Sequence, residues 1–183
     1  MATWLVPLST LAQKRMGDDP RAVGGKAARL AWLVRHGFSV PEAWVLPEEA
    51  FSQTVRTLSQ GFDPRALLRA AHGAAGSARA AEARDEILRA PLPRGLEAEL
   101  DALWSRVGGS MPWGLAVRSS ATCEDGALVS MAGLAETILG VRGPEQLAQA
   151  IRSVWASVAS GRSLTYLAAH GVRDVGMAVV LQR

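Results

Sequence analysis

Cysteine, lysine and tyrosine are nearly missing from this 183-residue chain, and two of these scarcities exclude whole classes of protein. A lone cysteine, Cys123, rules out an intramolecular disulfide framework, and no set of Cys and His has zinc-ligand spacing. Only Lys14 and Lys26 are lysines among 20 basic residues; arginine supplies the rest. Those arginines are spread through predicted helices, with no dense run interleaved with aromatics, so solvated helix faces explain them better than nucleic acid does. The pI near 9.7 and formal charge of +3 do not change that balance. No apolar run approaches the roughly 20 residues of a membrane span. Met1 to Leu11 also lacks the charged leader and continuous apolar core of a signal peptide. A soluble protein of a reducing cytoplasm is therefore expected. What the chain does have is 49% hydrophobic composition, enough to bury a core in one domain or two small lobes.

Apolar residues Ala27, Leu30, Ala31 and Val34 recur at helical spacing, predicting a helix from Gly25 to His36 that two glycines open and a left-handed Gly37 ends. Ala43 to Leu46 is a short apolar run and predicts a buried strand, with Pro47, Glu48 and Glu49 starting the next helix. Gly61 to Ala90 is rich in alanine and arginine and predicts helices with a loose joint. Leu96, Leu100, Leu103, Trp104 and Val107 form one apolar face of a further helix. Strand-like runs at Leu115–Val117 and Thr137–Val141 flank a polar segment, which predicts a functional hairpin. A helical face at Leu147, Ile151, Val154, Trp155 and Val158, a helix from Ser163 to His170 and a strand from Met177 to Leu181 complete the pattern. Non-alternating strands mixed with helices, without internal repeats, predict an α+β (mixed α/β) fold.

Chemistry is concentrated at a few positions. Gly24, Gly25 and Lys26 place an ammonium at a helix start, where free amides and the dipole favour phosphate oxygens. It is not a Walker A loop, because Pro20 stands six before Lys26 and Ala27 follows where Ser or Thr is needed. An ordinary glycine turn with an exposed lysine is the competing account. Arg118, with Ser119, Ser120 and Thr122, offers a planar guanidinium and hydroxyls to a phosphate; the alternative is a strand-end arginine paired with Glu124 or Asp125. Ser130 to Gly133 is small enough for close ligand approach ahead of Glu136 and Thr137, or is a plain tight turn. Gln182 offers a donor and an acceptor to a purine edge, or is a polar strand end. His36, His72 and His170 lack evident partners, and Cys123 has no adjacent base. The six tryptophans fall mostly on apolar faces and are expected in the core.

Taken in order, Val23-Gly24-Gly25-Lys26-Ala27-Ala28-Arg29-Leu30, Gly37-Phe38-Ser39-Val40-Pro41, Ala116-Val117-Arg118-Ser119-Ser120-Ala121-Thr122, Glu124-Asp125, Ser130 to Gly133, Thr137 and Val179 to Gln182 resemble one known domain. It is the N-terminal nucleotide-binding domain of the phosphoenolpyruvate synthase and pyruvate phosphate dikinase family, which includes rifamycin phosphotransferases. The resemblance implies the first lobe of an ATP-grasp domain over residues 1–183, with a helical insertion at about 61–110. It carries Lys26 and Arg118 over as phosphate contacts and Gly133, Thr137 and Gln182 as further ATP contacts, Gln182 on the adenine side. Ser119, Ser120 and Thr122 are weaker candidates. Met131, Leu134, Ala135, Ile138 and Glu42 depart from the family's usual residues, which leaves substrate details open. The second lobe with its Mg²⁺-binding carboxylates, the phosphohistidine domain and the pyruvate-binding barrel would follow Arg183 or come from a separate subunit, so the isolated chain is expected to bind ATP weakly and turn nothing over. The resemblance implies the ATP-binding portion of a phosphoenolpyruvate synthase-like phosphotransferase, passing phosphate from ATP to histidine to pyruvate; the alternatives are the same portion of a rifamycin-type antibiotic phosphotransferase and a free-standing, non-catalytic nucleotide-binding module. No metal site, nucleic acid or membrane is expected for the chain itself.

Overall fold

A computed structural model describes residues 3–58, 63, 66–67, 74–123, 136–172 and 175–183. Among these the fold is mixed α/β, with seven α-helices and one five-stranded sheet. Strands β1 (Val6–Pro7), β2 (Ala43–Leu46), β3 (Leu115–Ala121), β4 (Thr137–Val141) and β5 (Met177–Gln182) lie in the order β1-β2-β5-β3-β4. Every neighbouring pair is antiparallel.

Helices cover both faces of the sheet. Leu8, Leu11 and Ala12 of α1 (Leu8–Gln13) and Val23, Ala27 and Ala31 of α2 (Pro20–Arg35) pack with Ala43, Val45 and Val180 on one face. The larger core lies on the other face. There α3 (Glu48–Val55), α4 (Ala74–Arg89), α5 (Leu96–Val107), α6 (Pro144–Ala156) and α7 (Gly161–Ala169) pack with Trp44, Leu46, Val117, Val179 and Leu181. This two-sided cover explains why β2 and β5 are apolar runs without alternation: both faces are shielded from water. Burying a side chain such as Ile151 or Leu181 contributes about 1.5–3 kcal/mol, so the strand register is strongly fixed.

Among the described residues the expected helices and strands are present, most with shifted limits. Gly37 ends α2 with φ +81°: its amide donates to the Val34 carbonyl and that of Phe38 to the Leu33 carbonyl, closing two carbonyls of the last turn. The regular part of α2 begins at Gly25, as the apolar spacing predicts, and a helical turn precedes it, started by Pro20 in its first position and by the Asp19 carboxylate, which caps the Arg21 amide at 2.9 Å. Strand β3 is longer than Leu115–Val117 and takes in Arg118, Ser119 and Ser120, since pairing with β5 continues to Ala121 opposite Met177. Arg118 is thus inside a strand rather than at its end. Trp44 and Trp155 are buried, as expected, but Trp32 and Trp113 are exposed, at 47% and 83%. His36 stacks on Trp32 and contacts its carbonyl at 2.8 Å, and His170 contacts the Tyr166 carbonyl at 2.8 Å with its ring tilted against that of Tyr166. His72 and much of the stretch from 59 to 73 lie outside the described residues.

Candidate functional site

α2 is interrupted at Gly24, whose φ of 75° and ψ of 161° belong to a region essentially reserved for glycine. The regular helix therefore begins at Gly25, and Lys26 stands in its first turn. The break lies against β3: a Cβ on Gly24 would come within 2.0 Å of the Ser120 carbonyl oxygen and 2.4 Å of Ser120 Oγ. That oxygen is shared between the two segments. Ser120 Oγ donates to the Val23 carbonyl at 2.9 Å and accepts from the Ala27 amide at 3.0 Å. The hydroxyl is a helix cap supplied from another element, and its loss would cost about 0.5–2 kcal/mol.

This fastening delivers Lys26 to the strand. Its Nζ donates to the Ser119 carbonyl at 2.6 Å, one residue from Arg118. Arg118 lies opposite Thr137 on one side and Val180 on the other. Its Nη1 donates to Gln182 Oε1 at 2.7 Å. Its Nε is buried with no acceptor among the described residues. Lys26, Arg118, Thr137 and Gln182 are thereby gathered at one end of the α2 face of the sheet. Thr137 is exposed on the edge strand, and Gln182 is 5% exposed.

The weaker candidates divide. Ser119 alternates to the opposite, apolar face, where its Oγ is buried without a partner among the described residues. The Ser120 hydroxyl makes the two bonds given above. Thr122 Oγ1 accepts from the Gly176 amide at 2.9 Å, and the Thr122 amide donates to the Gly176 carbonyl at 3.1 Å, extending the β3–β5 ladder by one step. Gly133, Glu124, Asp125 and Ser130 to Ala132 lie outside the described residues. A sequence search for phosphate ligands misses the Ser120 cap and the Arg118–Gln182 bond. Both join residues more than 60 positions apart and show only in the register.

The arrangement combines an ammonium, a guanidinium with an uncommitted donor, and a helix N-terminus, all of which favour an anion rich in oxygens. Among the described residues no group of three His, Cys, Asp or Glu side chains could hold a metal. Residues 20–183 match the family model for the pyruvate phosphate dikinase AMP/ATP-binding domain. The chain belongs to this family.

Within it, the chain is 35% identical over 176 residues to the prodigiosin synthesizing transferase PigC of Serratia marcescens, covering 94% of the chain and 18% of that protein. It is 35% identical over 173 residues to phosphoenolpyruvate synthase of Aeropyrum pernix, covering 88% and 21%. A rifampicin phosphotransferase of a Streptomyces species is 35% identical over 170 residues, covering 88% and 19%. The chain thus spans about a fifth of the length of these relatives. No described helix of this dikinase-family domain is long and apolar enough to cross a membrane.

A separate open groove of about 730 Å³ lies along α2 beside Trp32 and contains neither Lys26 nor Arg118. Its rim carries Asp18, which accepts from Arg15 Nε at 2.7 Å and Arg35 Nη1 at 2.6 Å. Those two hydrogen bonds hold the Asp18 carboxyl below the usual value of 3.8.

Proposed function

We propose that this domain is one jaw of an ATP clamp in a phosphoenolpyruvate synthase-like phosphotransferase, the first lobe of an ATP-grasp unit working in the cytoplasm. One observation carries the proposal: Lys26 and Arg118 reach adjacent positions on β3 beside a helix N-terminus, with the Arg118 Nε buried and without an acceptor among the described residues. Phosphate oxygens would accept from Lys26 and from Arg118 beside the start of the regular part of α2, while Gly133, Thr137 and Gln182 complete the nucleotide site. A helical insertion at about 61–110 belongs to the same reading, and its described helices α4 and α5 pack in the core on the face of the sheet opposite Arg118.

Phosphoryl transfer asks of such a site positioning and charge neutralisation rather than covalent chemistry. The acceptor would be a histidine on a separate domain, which then phosphorylates pyruvate. Magnesium would be held by carboxylates of the second lobe, outside this chain. An antibiotic-directed phosphotransferase of rifampicin type is the second assignment, favoured by a relative of that name at the same 35% identity as the synthase. The two share this domain and differ in the acceptor.

Calorimetry of the full chain with a non-hydrolysable ATP analogue tests the proposal. Lys26→Ala and Arg118→Ala should each weaken binding by about 10-fold to 100-fold, the worth of one charge-assisted hydrogen bond. Unchanged affinity in both variants would refute the phosphate site.

A further inference from the structure

Gln182 closes β5, the central strand, with Ala43 of β2 on one side and Ala116 of β3 on the other. It is nearly fully buried, and Arg118 is its diagonal neighbour on the same face, two positions along β3 from Ala116. Diagonal pairs of this kind are within reach of long side chains. The contact found is the 2.7 Å bond from Arg118 Nη1 to Gln182 Oε1. A guanidinium only donates, so it fixes which way the amide faces: the single oxygen points to Arg118 and the NH₂ group points away.

Two consequences follow. The Gln182 oxygen keeps a second lone pair, but the amide plane, and with it the direction of that lone pair, is set by the bond to Arg118. Arg118, in turn, is oriented by a neutral group. A carboxylate at this place would hold the guanidinium equally well but would cancel the charge that a polyphosphate needs. The rigid strand pairing on both sides of Gln182 gives the guanidinium plane a fixed support.

We infer that Gln182 is a positioning residue for Arg118, aiming its buried Nε donor at a phosphate oxygen, and that it acts on the polyphosphate rather than on the base. The inference rests on the phosphate site proposed above and deepens it. It separates Gln182 from the adenine-side role that its place in the motif order suggests.

The test compares ATP with inorganic tripolyphosphate, which has no base, as ligands of the full chain. In Gln182→Met and Gln182→Leu, both affinities should fall by the same factor, about 5-fold to 10-fold, as expected for one hydrogen bond's worth of orientation. In an Arg118→Ala background, Gln182→Met should produce no further loss for either ligand, which a general folding defect would not mimic. Loss confined to ATP, equal loss persisting in the Arg118→Ala background, or no loss at all would each overturn the inference. Failure of the wild-type chain to bind either ligand would instead overturn the phosphate site itself, a result distinguishable from the other three.

Discussion

Gly24→Ala is the sharpest probe of how the site is built, because one methyl group acts on three connected features. The new Cβ would stand 2.0 Å from the Ser120 carbonyl oxygen and 2.4 Å from the carbonyl carbon, which are backbone atoms of a paired strand and cannot swing aside. Relief requires the Gly24 turn to lift from β3. Lifting it breaks the Ser120 Oγ bonds to Val23 and Ala27 and draws Lys26 from the Ser119 carbonyl. The unfavourable φ/ψ costs about 1–3 kcal/mol, and with about 1 kcal/mol for each Ser120 bond the variant should lose roughly 3–5 kcal/mol. That is a large share of the about 5–15 kcal/mol of net stability typical of a domain.

Urea unfolding followed by tryptophan fluorescence measures the loss, and hydrogen exchange at the Ala27 amide reports the break locally. Gly37→Ala is the control. Its φ is also positive, at +81°, yet a Cβ there would meet nothing within 4 Å, so only the conformational cost of about 1–2 kcal/mol applies. A Gly24→Ala loss no greater than that of Gly37→Ala, with Ala27 still protected, would refute the claim that close contact with β3 sets the Lys26 turn.

Ser120→Ala should destabilise by about 0.5–2 kcal/mol by removing the cap on the buried Ala27 amide, measured by the same unfolding curve; an unchanged midpoint would show that the cap is dispensable. Glu99→Ala removes the carboxylate that accepts from the Trp4 amide at 2.9 Å and the Leu5 amide at 2.9 Å, so exchange at Leu5 should accelerate while Val45 stays protected. Equal acceleration at both sites would mean global rather than local loosening. Asp18 titrates below 3.8 in the folded chain, so the unfolded chain takes up its proton first as pH falls. Its stabilising contribution is therefore complete above 3.8 and disappears as pH drops through the lower folded value. The stability difference between wild type and Asp18→Asn should be present at neutral pH and vanish in that acid range, and a difference constant down to the lowest pH would contradict the Arg15 and Arg35 pairing.

The sequence alone determined the elements and the chemistry on offer. Helical spacing at Ala27, Leu30, Ala31 and Val34 and the unbroken apolar runs at Ala43–Leu46 and Met177–Leu181 are local signals, because burial on one helix face or both strand faces leaves its mark in the residues themselves. The ordered motifs from Val23 to Gln182 likewise led to the dikinase family, whose model residues 20–183 match. The limits of β3 were not legible, since Arg118, Ser119 and Ser120 look like a polar loop until β5 supplies their backbone partners. Nor were the duties of the three hydroxyls. Ser119, Ser120 and Thr122 are nearly equivalent in sequence, but strand alternation sends Ser119 to the apolar side, and only the fold sets Ser120 against Gly24 and Thr122 against Gly176. The same holds for Lys26 and Arg118. Their residue types announce an affinity for phosphate, but their approach depends on the packing of α2 against β3 across more than 90 residues, which no local pattern encodes.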